Sequence, residues 1–217
     1  MKSSLIRPAL ALALAAGLAA GLAGCGGSDK AEFVVKGTIT GIVYPGAVLT
    51  TNGMEIAIPA PATPRATVSF AFPNKLEYGD VYNVQFKSEP DNQNCGTPPQ
   101  TIANFNDTAG RLADINITFA CAVDVYTIGG TVNGLTADGL VLANGSTGGT
   151  IPVAKPAAGV TTPPTYTFAG PVEFGQTYGV TVLTQPTGQV CTVANATGTM
   201  GAANVTNINV TCAAAPG

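Results

Sequence analysis

Tyr82 to Cys95 reads YNVQFKSEPDNQNC and Tyr178 to Cys191 reads YGVTVLTQPTGQVC, and this pair of stretches constrains the chain more than any other feature. Each starts on tyrosine, alternates apolar with polar residues, meets a proline and stops at a cysteine, at identical spacings. In an extended chain side chains alternate with a period of two. Tyr82, Val84 and Phe86 therefore share one face, as do Tyr178, Val180 and Val182, and each face has to be buried against a second sheet.

The similarity extends in both directions. VVKGTITG, Val34 to Gly41, matches TIGGTVNG, Thr127 to Gly134. VSFAFPNKLEYGDVYNVQF, Val68 to Phe86, matches TYTFAGPVEFGQTYGVTV, Thr165 to Val182, and NITFAC, Asn116 to Cys121, matches NINVTC, Asn207 to Cys212. One module used twice is the expectation, with copies at 33–121 and 125–217. Ala122-Val123-Asp124 is the link between them, too short for independent tumbling, so a small end-to-end contact and a semi-rigid pair are expected.

Composition agrees with short strands and many turns. Charged residues are only 10%, while Gly (27) and Pro (16) are plentiful. β-branched side chains fit a pleated surface, and Gly, Asn and Pro make reversals, so an all-β chain follows. The formal net charge is −3, with no basic run or stripe, which argues against a nucleic-acid partner.

The N-terminus, MKSSLIRPALALALAAGLAAGLAGC, has Lys2 and Arg7 near the start, an Ala/Leu-rich apolar run, then small residues, as an export signal does. A single transmembrane helix is the competing reading, disfavoured by a short, Gly-rich apolar segment. Leu22-Ala23-Gly24-Cys25 resembles the bacterial lipobox. That resemblance implies a signal peptide over 1–24, cleavage before Cys25, diacylglyceryl on its sulfur and an acyl chain on its new amino group. The membrane is then a partner through the anchor at Cys25, with 25–32 as the tether. The residue after Cys25 is Gly26, not the aspartate that resembles an inner-membrane retention signal in Gram-negative bacteria, and this resemblance implies the outer membrane.

With Cys25 assigned to lipid, four of the five cysteines remain, two per copy. Four cysteines allow three pairings, and the repeat symmetry selects Cys95 with Cys121 and Cys191 with Cys212. A metal site is the alternative, but no histidine and no Cys-x-x-Cys occurs. No cofactor is expected.

The G-T-[IV] opening, the aromatic-x-Phe pair and the Gly-x-x-Tyr-x-Val pattern resemble the carboxypeptidase-regulatory or prealbumin-like Ig-like β-sandwich modules of bacterial envelope proteins. The resemblance implies two tandem β-sandwiches and an accessory or structural role. Modules of this kind in adhesins can crosslink a first-strand lysine to a last-strand asparagine beside a buried acid. Lys36, Asn116 and Glu55 or Glu77 are the matching candidates. Gly129 stands where Lys36 aligns in the second copy, and an exposed edge lysine that discourages strand addition is the plainer account of Lys36.

A Ser/His/Asp or Cys/His site is excluded by the lack of histidine. Asp138 and Glu173 read as solvated acids, and Glu89, Asp91 and Asp107 as acids whose spacing matches no compact calcium loop. The leading expectation is a non-enzymatic, lipid-anchored envelope protein, a structural spacer or protein-interaction module with an envelope protein partner. The alternative is a carbohydrate- or small-ligand-binding lipoprotein. Its candidate rings are Tyr44, beside Pro45, and Phe105, in the polar stretch Asp91 to Arg111, since the chain has no tryptophan.

Overall fold

Alternating apolar residues between Gly, Asn and Pro turns make strands throughout, and the computed structural model, which describes residues 30–97, 104–145 and 148–216, contains no helix among them. In the first half β1 (Glu32–Thr40), β2 (Ala47–Thr51), β3 (Met54–Ile58), β4 (Val68–Glu77), β5 (Val81–Ser88), β6 (Gln93–Gly96), β7 (Asn104–Thr108) and β8 (Ile115–Val123) form two sheets, ordered β4-β1-β8-β6 and β3-β2-β5-β7. The second half holds β9 (Val125–Tyr126), β10 (Gly129–Asn133), β11 (Leu140–Asn144), β12 (Thr150–Val153), β13 (Thr165–Thr167), β14 (Val172–Glu173), β15 (Thr177–Thr184), β16 (Gln189–Val193), β17 (Thr197–Thr199) and β18 (Val210–Ala214). Its main sheets run β13-β10-β18-β16 and β12-β11-β15-β17, the same order as in the first half. The first and last long strands lie parallel in both, β1 on β8 and β10 on β18, while their other partners are antiparallel.

The faces expected to be buried pack against a core, with Tyr82, Val84 and Val180 buried and Phe86, Tyr178 and Val182 partly so. Tyr82 and Val84 on β5, with Val35 and Ile39 on β1 and Ile117 and Phe119 on β8, join one hydrophobic cluster, and Phe86 meets Phe119 edge-on at 5.1 Å. Val180, Leu142, Val132 and Val210 belong to a second cluster, which shares no residue with the first. The matched glycines have a packing reason. A Cβ on Gly37 would run into the carbonyl oxygen of Ile117 on the parallel neighbour β8, and one on Gly130 into that of Ile208, just before the parallel neighbour β18. Any side chain there would push the two strands apart.

The halves differ where the sequence reading expected continuity. β1 and β4 are unbroken, but their counterparts split into β9 with β10 and β13 with β14. Ala169-Gly170-Pro171 interrupts the second pair, and proline there has no N–H for the ladder. The closing strand NINVTC is also shorter than expected, since β18 begins only at Val210. The Asn209 side chain takes the Thr131 N–H (3.1 Å), supplanting a ladder carbonyl. The three-residue link contracts to Asp124 alone, because β8 continues through Val123 and β9 starts at Val125.

Candidate functional site

Cys25 and the lipobox lie outside the described residues. The other four cysteines form the bonds Cys95–Cys121 and Cys191–Cys212, with Cα atoms 4.1 and 3.9 Å apart. In each case the two residues face one another in register, β6 against β8 and β16 against β18. The proline in each opening stretch ends a strand, and the next turn carries the chain into the sheet that holds the last strand.

That turn is braced by a glutamine the sequence reading passed over. Gln93, 3% exposed, accepts the Val43 and Tyr44 N–H groups on Oε1 (2.8 and 2.9 Å) and donates from Nε2 to the Gly41 carbonyl (2.9 Å). Gln189 does the same with Thr136, Ala137 and Gly134 (2.9, 3.0 and 2.7 Å). A residue just before each proline completes the brace. The Glu89 carboxylate accepts the Cys95 N–H (3.2 Å), and Gln185 accepts the Cys191 N–H (2.8 Å). The signal was present in both quoted stretches as Gln two positions before Cys.

The braced loop of the first half carries Tyr44 to the second half. The Tyr44 hydroxyl donates to the Phe174 carbonyl (2.9 Å), and the rings meet edge-on at 5.3 Å. Gly175 leaves room for the hydroxyl, because a Cβ there would strike it. Arg65 pairs with Glu173 across the same junction. Asp124 fastens the centre: its N–H donates to the Asn92 carbonyl (2.9 Å), its carboxylate accepts from Asn94 (3.1 Å), and its carbonyl accepts from Phe174 (2.9 Å). Glu173, expected to be a solvated acid, is instead the ion-pair partner of a residue in the other half.

The remaining candidates are dispersed. Tyr44 serves the junction, and Phe105, on β7, packs against the first core and stacks with Tyr82 at 6.3 Å. Lys36 does face Asn116 in register. However, β1 is an inner strand, so Lys36 is no edge lysine; it projects into solvent and pairs with Asp114 (3.1 Å). Glu55 and its partner Lys87 (2.6 Å) lie together on the sheet that does not hold Lys36, and Glu77 is exposed at the end of β4, so neither is a buried acid beside Lys36. Glu89 is used on Cys95 and Asp107 on Thr108 and Arg111, and no acid or cysteine group fit for a metal occurs among the described residues.

Two core tyrosines have hydroxyls held neutral. Tyr166 donates to the Ile208 carbonyl (2.7 Å), and burial pushes it up to about 12. Tyr82 is also raised, first by burial and then by the Asp107 carboxylate, against the opposing Arg111 charge. A cleft of about 570 Å³ opens in the second half beside Asn144, Gly170, Gln176 and Tyr178. Asn144, 6% exposed, accepts the Gly179 N–H on Oδ1 (3.0 Å).

No family model matches the chain, and no curated protein matches it. Among solved structures, it is similar to the TIE protein of Bacillus anthracis at 13% identity and a TM-score of 0.45, over 82% of this chain and 34% of that one. This chain thus spans about a third of that protein's length. It is also similar to the shaft pilin SpaA of Lactobacillus rhamnosus GG (13% identity, TM-score 0.28, 86% of this chain and 99% of that one). A major pilin of Streptococcus pyogenes follows at 12% identity and a TM-score of 0.27, over 85% and 98% of the two chains. At these scores the likenesses carry no argument about role, and the all-β sandwich assignment rests on the strand order and packing described above.

Proposed function

We propose that the protein is a non-enzymatic, lipid-anchored envelope protein made of two sandwich modules that act as a short semi-rigid spacer. The observation that carries this reading is the junction. A single residue, Asp124, separates the strands of the two halves and is held by Asn92 on one side and Phe174 on the other, while Tyr44 and Arg65 of one half grip Phe174 and Glu173 of the other. A chain selected only to tether two loose domains needs none of these contacts. The anchor follows from the lipobox at Cys25, and the outer membrane from Gly26. The test is fractionation of cells expressing Cys25→Ser. The unaltered chain is expected to remain with outer membranes through a carbonate wash, while the variant stays uncleaved or soluble. A variant that still fractionates with the outer membrane would overturn the anchor.

The Asn144 cleft favours a second reading, binding of a small neutral polar ligand. Its amide donor and the Tyr178 ring suit an oxygen-rich molecule such as a sugar. Chemical-shift titration with neutral monosaccharides is expected, on this reading, to move the Gly179 amide, and Asn144→Ala to abolish the movement. Silence of that amide across the panel would discard it.

A further inference from the structure

The surface that Tyr44 covers in the second half has a bare counterpart in the first. Phe174 and Gly175 follow β14 as Tyr78 and Gly79 follow β4. The backbone bonds are the same: Phe174 N–H to the Asp124 carbonyl, and Tyr78 N–H to the Ala31 carbonyl, both 2.9 Å. Gly175 then donates to the Met200 carbonyl as Gly79 does to that of Ala109 (2.8 and 2.9 Å). Tyr78 is nevertheless 64% exposed, with its ring against Gly110. Val81, at the start of β5, is 69% exposed, and Leu112, two positions past Gly110, is 55% exposed. Three large apolar side chains thus stand on the turns at the end of the first half where the chain enters at Ala31.

We propose that Tyr78, Val81 and Leu112 form a membrane-contact face that rests in the headgroup region of the bilayer to which the chain is anchored. This rests on the reading of Cys25 as the lipid attachment point. Six residues lead from Cys25 to Ala31, so the face is held within about 20 Å of the lipid. A tether that short gives an effective concentration on the order of millimolar, so a patch too weak to bind alone is engaged most of the time. Tyrosine suits the interface, with an apolar ring and a hydroxyl for water or headgroups. A second copy of the chain fits poorly as occupant. The loop of the second half has Ala137 in place of Tyr44, so it lacks the ring that fills the equivalent seat.

The chain has no tryptophan, so Tyr78→Trp introduces a single reporter. The acylated full-length variant is reconstituted into phosphatidylethanolamine/phosphatidylcholine vesicles with brominated acyl chains, beside Leu183→Trp, an exposed position on β15, as the reference. Tryptophan at position 78 is expected to shift to the blue and to be quenched about twofold more than at 183. Leu112→Trp repeats the measurement should the first variant fold poorly. Acylated protein that floats with vesicles while position 78 stays as unquenched as 183 overturns the membrane face and leaves the anchor standing. Burial of position 78 by added envelope extract but not by lipid overturns it in favour of a protein partner. Mass spectrometry showing Cys25 unacylated in the native protein overturns both.

Discussion

Tyr44 and Ala137 stand at the same place in the two halves, three residues past the glycine whose carbonyl the buried glutamine holds. Their loops have the same brace. In the first half the loop ends in a tyrosine that docks on Phe174; in the second it ends in a small side chain beside Asp138, whose partner is the nearby Lys155 (3.2 Å). The difference teaches that shaping a loop and using it are separate tasks. Glutamine, glycine and the disulfide shape it, and one ring makes it a joint. The broken strands of the second half fit the same view, because the residues that depart from the first half's pattern lie outside the brace.

The largest expected effect is common to both halves. Replacing Cys95 and Cys121 together by serine removes closure of a loop of sequence separation 26, and replacing Cys191 and Cys212 removes one of 21. Each is expected to cost about 3.5 kcal/mol in the chain-entropy model, measured by urea unfolding. A loss in one half much larger than in the other would break the equivalence.

Gln93→Ala and Gln189→Ala sharpen it. Each removes three hydrogen bonds from a buried amide and is expected to cost roughly 2 to 3 kcal/mol. Only Gln93→Ala should also loosen the junction, because only its loop carries Tyr44. Hydrogen exchange at Phe174 distinguishes the two: faster in Gln93→Ala, unchanged in Gln189→Ala.

Tyr44→Phe loses the bond to the Phe174 carbonyl, about 1 kcal/mol, and Tyr44→Ala loses the edge-on ring contact as well, roughly 0.5 to 1.5 kcal/mol more. Spin labels in the two halves should give a narrow distance distribution that broadens in Tyr44→Ala. Ala137→Tyr should leave it unchanged, having no seat to fill.

The smallest effect is alkaline. Tyr166 has a folded-state pKa raised above its unfolded value of about 10, so the stability it contributes is fully present below that pH. It is lost as pH rises toward about 12. Tyr166→Phe should flatten this loss in the second half. The first half has Phe70 at that register position, and its own alkaline loss is expected to trace to Tyr82, which is raised in the same direction.

Much of this was legible in the residues. Alternation located β5 and β15, and matching spacings paired Cys95 with Cys121 and Cys191 with Cys212, because period and register are local and repeated. The junction was not legible. Tyr44 beside Pro45 looks like an exposed ring, and nothing within its own half says that Phe174 lies 5.3 Å away. Glu173 misled for the same reason, since Arg65 is distant in the chain. Gln93 and Gln189 were readable in principle. They recur two positions before cysteine, but a polar residue in a polar turn draws no notice until its burial is known.

The central claim, that one folding unit has been used twice, is tested most directly by the fragment Val125 to Gly217, produced in an oxidising compartment. It contains β9 to β18, the second core and the Cys191–Cys212 bond. The account predicts a cooperative urea transition that shifts to lower denaturant on reduction. A fragment with its disulfide intact that unfolds without cooperativity would show that the two halves share one core, and would contradict the account.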